Sequence, residues 1–325
     1  MYLLRVLVFL IVLFLYIHLH HQWKTSNELE VYELDSPLSK DMLEDALQLK
    51  QPVIFTHPEE VGKMQIQIQT LGLDVSVRQS GTSLDDQDVS LYSLLPLQSA
   101  QALFDKDKSG AFFTEHNQSF LEESGLGKRL RSMDAFFRPA FCYDGYYDLL
   151  MGSQNATSPL RYDLQCRNYF IVSRGSLQMK LAPPNMSKYM ECIHDYENFE
   201  FRSTLNPWMK EEDEKVRCIH VNLNEGDCIC IPPFWWYSLK FEGKGQVVSM
   251  KYRTYMNGLS MLPQIGLFYL QNYNIRRRPF VLKEGKEAKE ETERPERPER
   301  PEIPERQEVQ TESQEDMAQK IVLET

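Results

Sequence analysis

Residues 227–241, DCICIPPFWWYSLKF, concentrate side chains whose types could support chemistry. Two cysteines alternate along a strand-like run that Pro232 and Pro233 end. Four aromatic residues follow, and the last of them, Tyr237, carries a hydroxyl that can donate or accept a hydrogen bond. The six cysteines of the chain show no C-x-x-C spacing and therefore predict no zinc site. The segment is a candidate wall of a binding or catalytic site, although burial in the core is the simpler interpretation of its first aromatics.

The composition of the chain limits the kind of fold that can hold residues 227–241. With 325 residues, of which 42% are hydrophobic and 11% aromatic, the chain can form one large domain or two small ones. The formal net charge is −11, and residues 283–325 carry 8 Lys and Arg against 14 Asp and Glu, a net −6. The rest of the chain is thus mildly acidic. No concentration of positive charge points to nucleic acid, so we expect no nucleic-acid partner.

The N-terminus predicts a membrane anchor. After Arg5, residues 6–17 form an unbroken apolar run, and residues 2–19 are long enough to cross a thin bilayer. Residues 1–24 contain no Ala, Gly or Ser, so the small-residue cleavage site of a signal peptide is missing. We therefore assign residues 1–20 to a single-pass anchor. Positive charge flanks the run on both sides, which leaves the orientation open.

The rest of the chain divides, by its hydrophobic pattern and composition, into a folded body and a tail. Residues 28–280 are expected to form one domain, with antiparallel barrel strands between residues 136 and 255 and a helix over 258–274. Residues 76–90 are polar and predict a loop or hairpin edge. Residues 283–325 repeat Glu-Arg-Pro and predict a disordered tail.

Four motifs in order resemble the cupin-like branch of the JmjC family, which comprises iron- and 2-oxoglutarate-dependent dioxygenases. They are QPVIF, DLLMGSQNATSPLRYD, NYFIVSRGSLQMKLAPP and NEGDCICIPPFWWY. The resemblance implies a double-stranded β-helix, or jelly roll, with flanking helices. The fold class is therefore predicted to be mainly β within an α+β arrangement.

The resemblance also assigns three positions to the family's 2-His-1-carboxylate iron site. They fall on Arg161, Asp163 and Tyr237, so both histidines are replaced. A guanidinium stays protonated and cannot donate a lone pair to a metal. Residues i and i+2 of a strand face the same side, so we expect Arg161 to pair with Asp163 or to bond the Tyr237 hydroxyl. These are vestigial metal-site positions, with no metal and no confident catalytic residue expected.

The same resemblance implies which residues line the cavity that holds the iron site in the family. The family's lysine that pairs with 2-oxoglutarate falls on Leu177. We therefore expect neither Fe(II) nor 2-oxoglutarate as a cofactor, unless the site works in an atypical way. The pocket is expected to be lined by Tyr162, Asn168, Leu177, Trp235 and Trp236.

Three functions remain open at this stage. The first is a catalytically degenerate binding or interaction module that takes a peptide, a small acid or a protein partner in the old cavity. The second is a 2-oxoglutarate- and iron-dependent hydroxylase with an atypical metal set. The third is a structural module that forms homodimers through its C-terminal helix. Because Asp163, Trp235, Trp236 and Tyr237 would line a pocket even without metal, the first is preferred.

Overall fold

The computed structural model describes residues 1–35, 38–56, 72–80, 92–196, 199–208 and 216–275. Its helices are α1 (Tyr2–Trp23), α2 (Lys40–Leu47), α3 (Leu97–Lys106), α4 (Gln118–Glu123), α5 (Leu126–Met133), α6 (Tyr255–Ser260) and α7 (Leu262–Ile275). A 3-10 helix covers Pro184–Tyr189. The predicted tail of residues 283–325 and the domain end at 280 lie outside the described residues.

The strands provide most of the folded body. They are β1 (Tyr32–Leu34), β2 (Val53–Thr56), β3 (Asp74–Gln79), β4 (Ser93–Pro96), β5 (Phe112–Thr114), β6 (Cys142–Gly152), β7 (Arg161–Tyr162), β8 (Arg167–Ala182), β9 (Cys192–Asp195), β10 (Glu200–Ser203), β11 (Ile219–Asn224), β12 (Asp227–Ile231) and β13 (Trp236–Thr254). The strand-rich sheet with flanking helices confirms the predicted fold class.

The two longest strands, β8 and β13, form the centre of the sheet. The hydrogen-bonded order is β1-β2-β12-β8-β13-β6-β5-β3-β4. Strand β7 bridges β10 and β13, β9 pairs with β10, and β11 extends from β8. Among the described pairs only β1 and β2 run parallel, which fits the predicted antiparallel architecture.

Strand alternation distributes side chains between two hydrophobic clusters. In β12, Cys228 and Cys230 enter one cluster, whereas Ile229 and Ile231 enter the other. Successive side chains of a strand point to opposite faces. The alternating run of β12 is therefore core on both sides, and its two thiols are fully buried structural groups.

Two local predictions differ from the structure. Of the loop or hairpin edge predicted for residues 76–90, the loop is wrong for residues 76–79, where β3 continues to Gln79 and pairs with β4 as a hairpin edge would. Residues 81–90 lie outside the described residues. The helix predicted over 258–274 is two helices that meet at Met261. Pro263 lacks a backbone N–H and is tolerated in a first turn, so the chain starts a new helix there.

Helix α1 is long and apolar enough to cross a membrane. Its outer surface is exposed, and its side chains at Leu15, His18, Leu19 and Gln22 are partly buried. These positions follow the i, i+3, i+4, i+7 spacing of one helix face. That face packs against α6, and the indole nitrogen of Trp23 donates to the carbonyl oxygen of Ser260 at 3.3 Å.

Candidate functional site

The three positions that resemble a metal triad converge in the structure. Arg161 on β7 lies directly opposite Tyr237 on β13. The Tyr237 hydroxyl donates to Asp163 Oδ2 at 2.8 Å, and the Arg161 guanidinium carbon lies 5.6 Å from the centre of the Tyr237 ring. The short β7 segment positions Arg161, and Asp163 follows where that strand ends. The shared face expected from residue spacing is thus present.

The ion pairing at this point differs from the sequence expectation. Arg161 does not pair with Asp163; its Nη1 contacts Glu115 Oε2 at 2.6 Å and Glu200 Oε1 at 3.3 Å. Arg78 contacts the same two carboxylates at 2.8 and 3.2 Å. We call Arg78, Glu115, Arg161 and Glu200 the ion-pair cluster. Glu115, just after β5, is its most deeply buried member, and like Glu200 it pairs with both arginines.

Asp163 has a different cation as its partner. Lys251 on β13 places Nζ 2.7 Å from Asp163 Oδ2. Burial alone would raise the pKa of Asp163, but Lys251, Arg161 and the Tyr237 hydroxyl together hold it below its ordinary value. Burial and the adjacent Asp163 carboxylate raise the pKa of Tyr237. Tyr237 is therefore a neutral hydrogen-bond donor here and does not supply a phenolate.

Glu115 stays ionised although it is buried. Burial opposes the charged form, but the guanidinium groups of Arg161 and Arg78 outweigh it and lower the pKa of Glu115. The Tyr92 hydroxyl adds a hydrogen bond to Glu115 Oε1 at 2.9 Å. The cluster is thus a compensated set of charges, as a buried site requires.

Two buried donors at this site lack an acceptor among the described residues. They are the Nε atoms of Arg161 and Arg202. Arg202 on β10 lies directly opposite Arg161 on β7, so both side chains leave the same face of the sheet. Within the described residues, the ionic contact of Arg202 with Glu200 Oε2 is long at 3.9 Å. The site therefore presents paired guanidinium groups with unused hydrogen-bonding capacity.

The predicted pocket-lining residues divide into several environments. Trp236 pairs with Tyr162 across β7 and β13 and packs in a separate hydrophobic cluster, on the face opposite to Tyr237. Trp235 shares the core cluster of Tyr237, but its indole nitrogen donates to the Ser26 carbonyl. Asn168 donates to the carbonyl oxygens of Gln165 and Ile231. The expectation that both tryptophans wall one cavity is wrong, because adjacent strand residues face opposite ways.

Leu177 also lies away from the charged residues. It is fully buried between Leu223 of β11 and Phe241 of β13. Tyr237 pairs with Leu181, four residues further along β8, so about 13 Å of strand separates the two levels. Leu177 is a core residue and no part of the charged site.

The donor set does not fit the iron and 2-oxoglutarate that the family resemblance implies. Arg161, which the resemblance would place at the first ligand position, is a cation, and the Tyr237 hydroxyl donates to Asp163. In the described part of the chain, no group of three or more His, Cys, Asp and Glu is arranged to hold a metal ion. Leu177 also offers no charge for a co-substrate carboxylate. No metal-dependent step is derived for this site.

Sequence reasoning missed the partners that organise the site. Arg78, Glu115, Glu200 and Lys251 come from four different strands or strand ends and carry no local motif. One signal was available at Arg78, where a charged residue follows the alternating Val75 and Val77 of a strand. Glu115, Glu200 and Lys251 can be recognised only from the ion pairs that they form in the folded structure.

Comparison with known families agrees with the architecture. Residues 99–255 match the family model described as a cupin-like domain. This match, over the region that contains β5 to β13, supports a cupin-like family for the chain. A search of curated proteins returned no significant match.

The two depressed carboxyl pKa values predict acid sensitivity. Glu115 and Asp163 have folded pKa values below their ordinary 4.5 and 3.8. The two carboxylates therefore stabilise the folded state fully above their ordinary pKa values. This stabilisation is lost as the pH falls through their folded pKa values. We expect the unfolding free energy to decrease from about pH 5 to about pH 2, and less steeply in Asp163→Asn.

Urea denaturation of the full chain across this pH range measures the effect. Asp144→Asn is the matched control, because Asp144 is exposed and its contact with Arg253 is 3.7 Å long. Equal pH slopes for the parent and Asp163→Asn would contradict the assignment.

Proposed function

We propose that this chain is a membrane-anchored, cupin-like binding module whose site acts without a metal and takes a ligand that carries a carboxylate. A small organic acid or an acidic peptide would meet this description. The single observation behind the proposal is the pair of buried Nε–H donors of Arg161 and Arg202 on one sheet face.

The chemistry of guanidinium groups supports this ligand class. A buried donor without an acceptor costs about 1–3 kcal/mol, so an acceptor that reaches it is favoured. Guanidinium groups bind carboxylates through two parallel hydrogen bonds, which gives orientation as well as affinity. A carboxylate near both Nε atoms would recover these bonds.

The charge balance of the site favours an anion. Arg78, Arg161, Arg202 and Lys251 supply four positive charges, and Glu115, Glu200 and Asp163 supply three negative ones. One positive charge is left over among these residues. Because these side chains are largely buried, water and salt screen the remaining positive charge less than they would at the surface.

The anchoring part of the proposal depends on α1. Its length and apolar character suit a single-pass span, and its exposed outer surface needs an apolar environment. Carbonate extraction should leave the full chain in the membrane pellet. Release into the supernatant would contradict the membrane anchor and would leave the ligand-binding part of the proposal unaffected.

Ligand binding can be tested with succinate and 2-oxoglutarate as probes and uncharged succinamide as the chemical control. The full chain in detergent, with EDTA present, should bind the two acids in calorimetry and not succinamide. Because a charge-assisted hydrogen bond contributes about 1.5–3 kcal/mol, Arg202→Gln should weaken binding by about tenfold or more. Arg131→Gln, an exposed arginine of α5, is the matched control.

Two outcomes would overturn the ligand proposal. One is no saturable binding of either acid, and the other is equal affinity in the parent and Arg202→Gln. A hydroxylase with an atypical metal set is the competing function, and it is disfavoured because Arg161 cannot ligate a metal ion and the Tyr237 hydroxyl donates to Asp163. A measurement of iron distinguishes that candidate from the first.

A further inference from the structure

An uncharged exposed surface lies beside the point where α1 meets the folded body. Residues 255–275, which form α6 and α7, contain no Asp, Glu, Lys or Arg, although 26% of the whole chain is charged. The exposed large side chains of this segment are Tyr255, Leu259, Leu262, Leu267, Tyr269, Leu270 and Tyr273. An outer helix of a soluble domain would ordinarily carry charges on this side.

Helix α7 has two apolar faces with different environments. Ile265 packs against the cluster of Leu164, Phe201 and Met261, and the Phe268 ring lies 6.1 Å from that of Phe199. The opposite face, Leu262, Gly266, Tyr269, Leu270 and Tyr273, follows helical spacing. Its four large side chains are between 53% and 67% exposed. The inner face fixes the helix on the domain, and more than half of each large side chain on the outer face is exposed.

The position of α1 indicates what lies next to this surface. The partly buried side chains of α1 begin at Leu15, and α1 packs on α6. Leu15 is eight residues before the helix end at Trp23, a distance of about 12 Å along the axis. If residues 2–19 cross the bilayer, Trp23, which donates to the Ser260 carbonyl of α6, lies four residues beyond the span, so α6 is next to the membrane surface.

We infer that the outer surface of α6 and α7 docks into the interfacial layer of the bilayer that α1 crosses. This inference rests on the anchoring role proposed for α1. Exposed tyrosines suit the membrane interface, where the ring is covered by acyl chain and the hydroxyl stays hydrated. The leucines between them bury apolar area.

Flanking charges fit the same location. Lys24 follows α1 and is exposed. In the sequence, three arginines at 276–278 follow α7 directly. Basic residues at this level attract lipid phosphates.

Photocrosslinking in vesicles tests the contact. A benzophenone amino acid is placed at Leu270 or, as the matched control, at Leu94 in the full chain. Both leucines are exposed, 61% and 68% respectively, and Leu94 lies on β4, the edge strand of the sheet. The chain is reconstituted into vesicles of phosphatidylcholine and phosphatidylserine, because anionic lipid attracts basic residues next to a membrane span.

Mass spectrometry after irradiation should detect lipid adducts at position 270 and only background at position 94. An adduct between two copies of the chain would identify a dimer contact and overturn the inference. An adduct confined to the same chain, or none, would overturn it as well. Carbonate extraction of the same vesicles tests α1 separately, so failure of the anchor and failure of the docking surface are distinguishable.

Discussion

Replacement of Glu115 by glutamine should lower the free energy of unfolding by about 3–5 kcal/mol, the usual cost of leaving buried charges without their partner. Glu115 is almost fully buried and pairs with Arg78 and Arg161 through its two oxygens. The amide keeps the shape but removes the negative charge between two guanidinium groups. Urea denaturation followed by near-ultraviolet circular dichroism measures the loss.

The control for this change is a carboxylate in an exposed pair. Asp144, 49% exposed at its side chain, contacts Arg253 at 3.7 Å. Its replacement by asparagine should cost less than about 1 kcal/mol. Equal losses for Glu115→Gln and Asp144→Asn would show that the ion-pair cluster does not depend on Glu115.

Replacement of Trp235 by alanine should cost about 3–5 kcal/mol, the range for large aromatic side chains in a core. Trp235 is completely buried, and its indole nitrogen donates to the Ser26 carbonyl at 3.1 Å. The change removes both the packed ring and the bond to the segment that follows α1. The same denaturation experiment measures it.

A phenylalanine at position 235 provides the graded control. It keeps an aromatic ring and loses the hydrogen bond to Ser26, so it should cost less than alanine. A variant Trp235→Ala that unfolds within about 1 kcal/mol of the parent would contradict the assignment of this side chain to the core.

The strand patterns in the sequence predicted the fold class, whereas the expectation that Tyr237 lies near Arg161 and Asp163 came from the family resemblance. The continuous apolar run CICI is typical of a strand that is buried on both faces, and Arg161 and Asp163 are two residues apart. The same rule of alternation could have corrected one error. Trp235 and Trp236 are adjacent in the strand region, so they could not both face the site.

The partners of Arg161 could not be read from the sequence. Glu115 is 46 residues away along the chain and Glu200 is 39, and neither belongs to a local motif. Asp163 is close to Arg161 in sequence, but it forms its ion pair with Lys251 on β13. Which of several nearby opposite charges pair is decided by strand register, and register is a property of the folded sheet.

The central claim is that ion pairs replace metal ligation at this site, and iron content measures it most directly. The parent and the double variant Arg161→His, Tyr237→His would be loaded with Fe(II) without oxygen, desalted and analysed for bound iron. Turnover of 2-oxoglutarate is then assayed in air. We predict no stoichiometric iron and no turnover in the parent, and iron uptake in the double variant, whose ligand types match the family's triad. Stoichiometric iron with 2-oxoglutarate turnover in the parent would contradict the account.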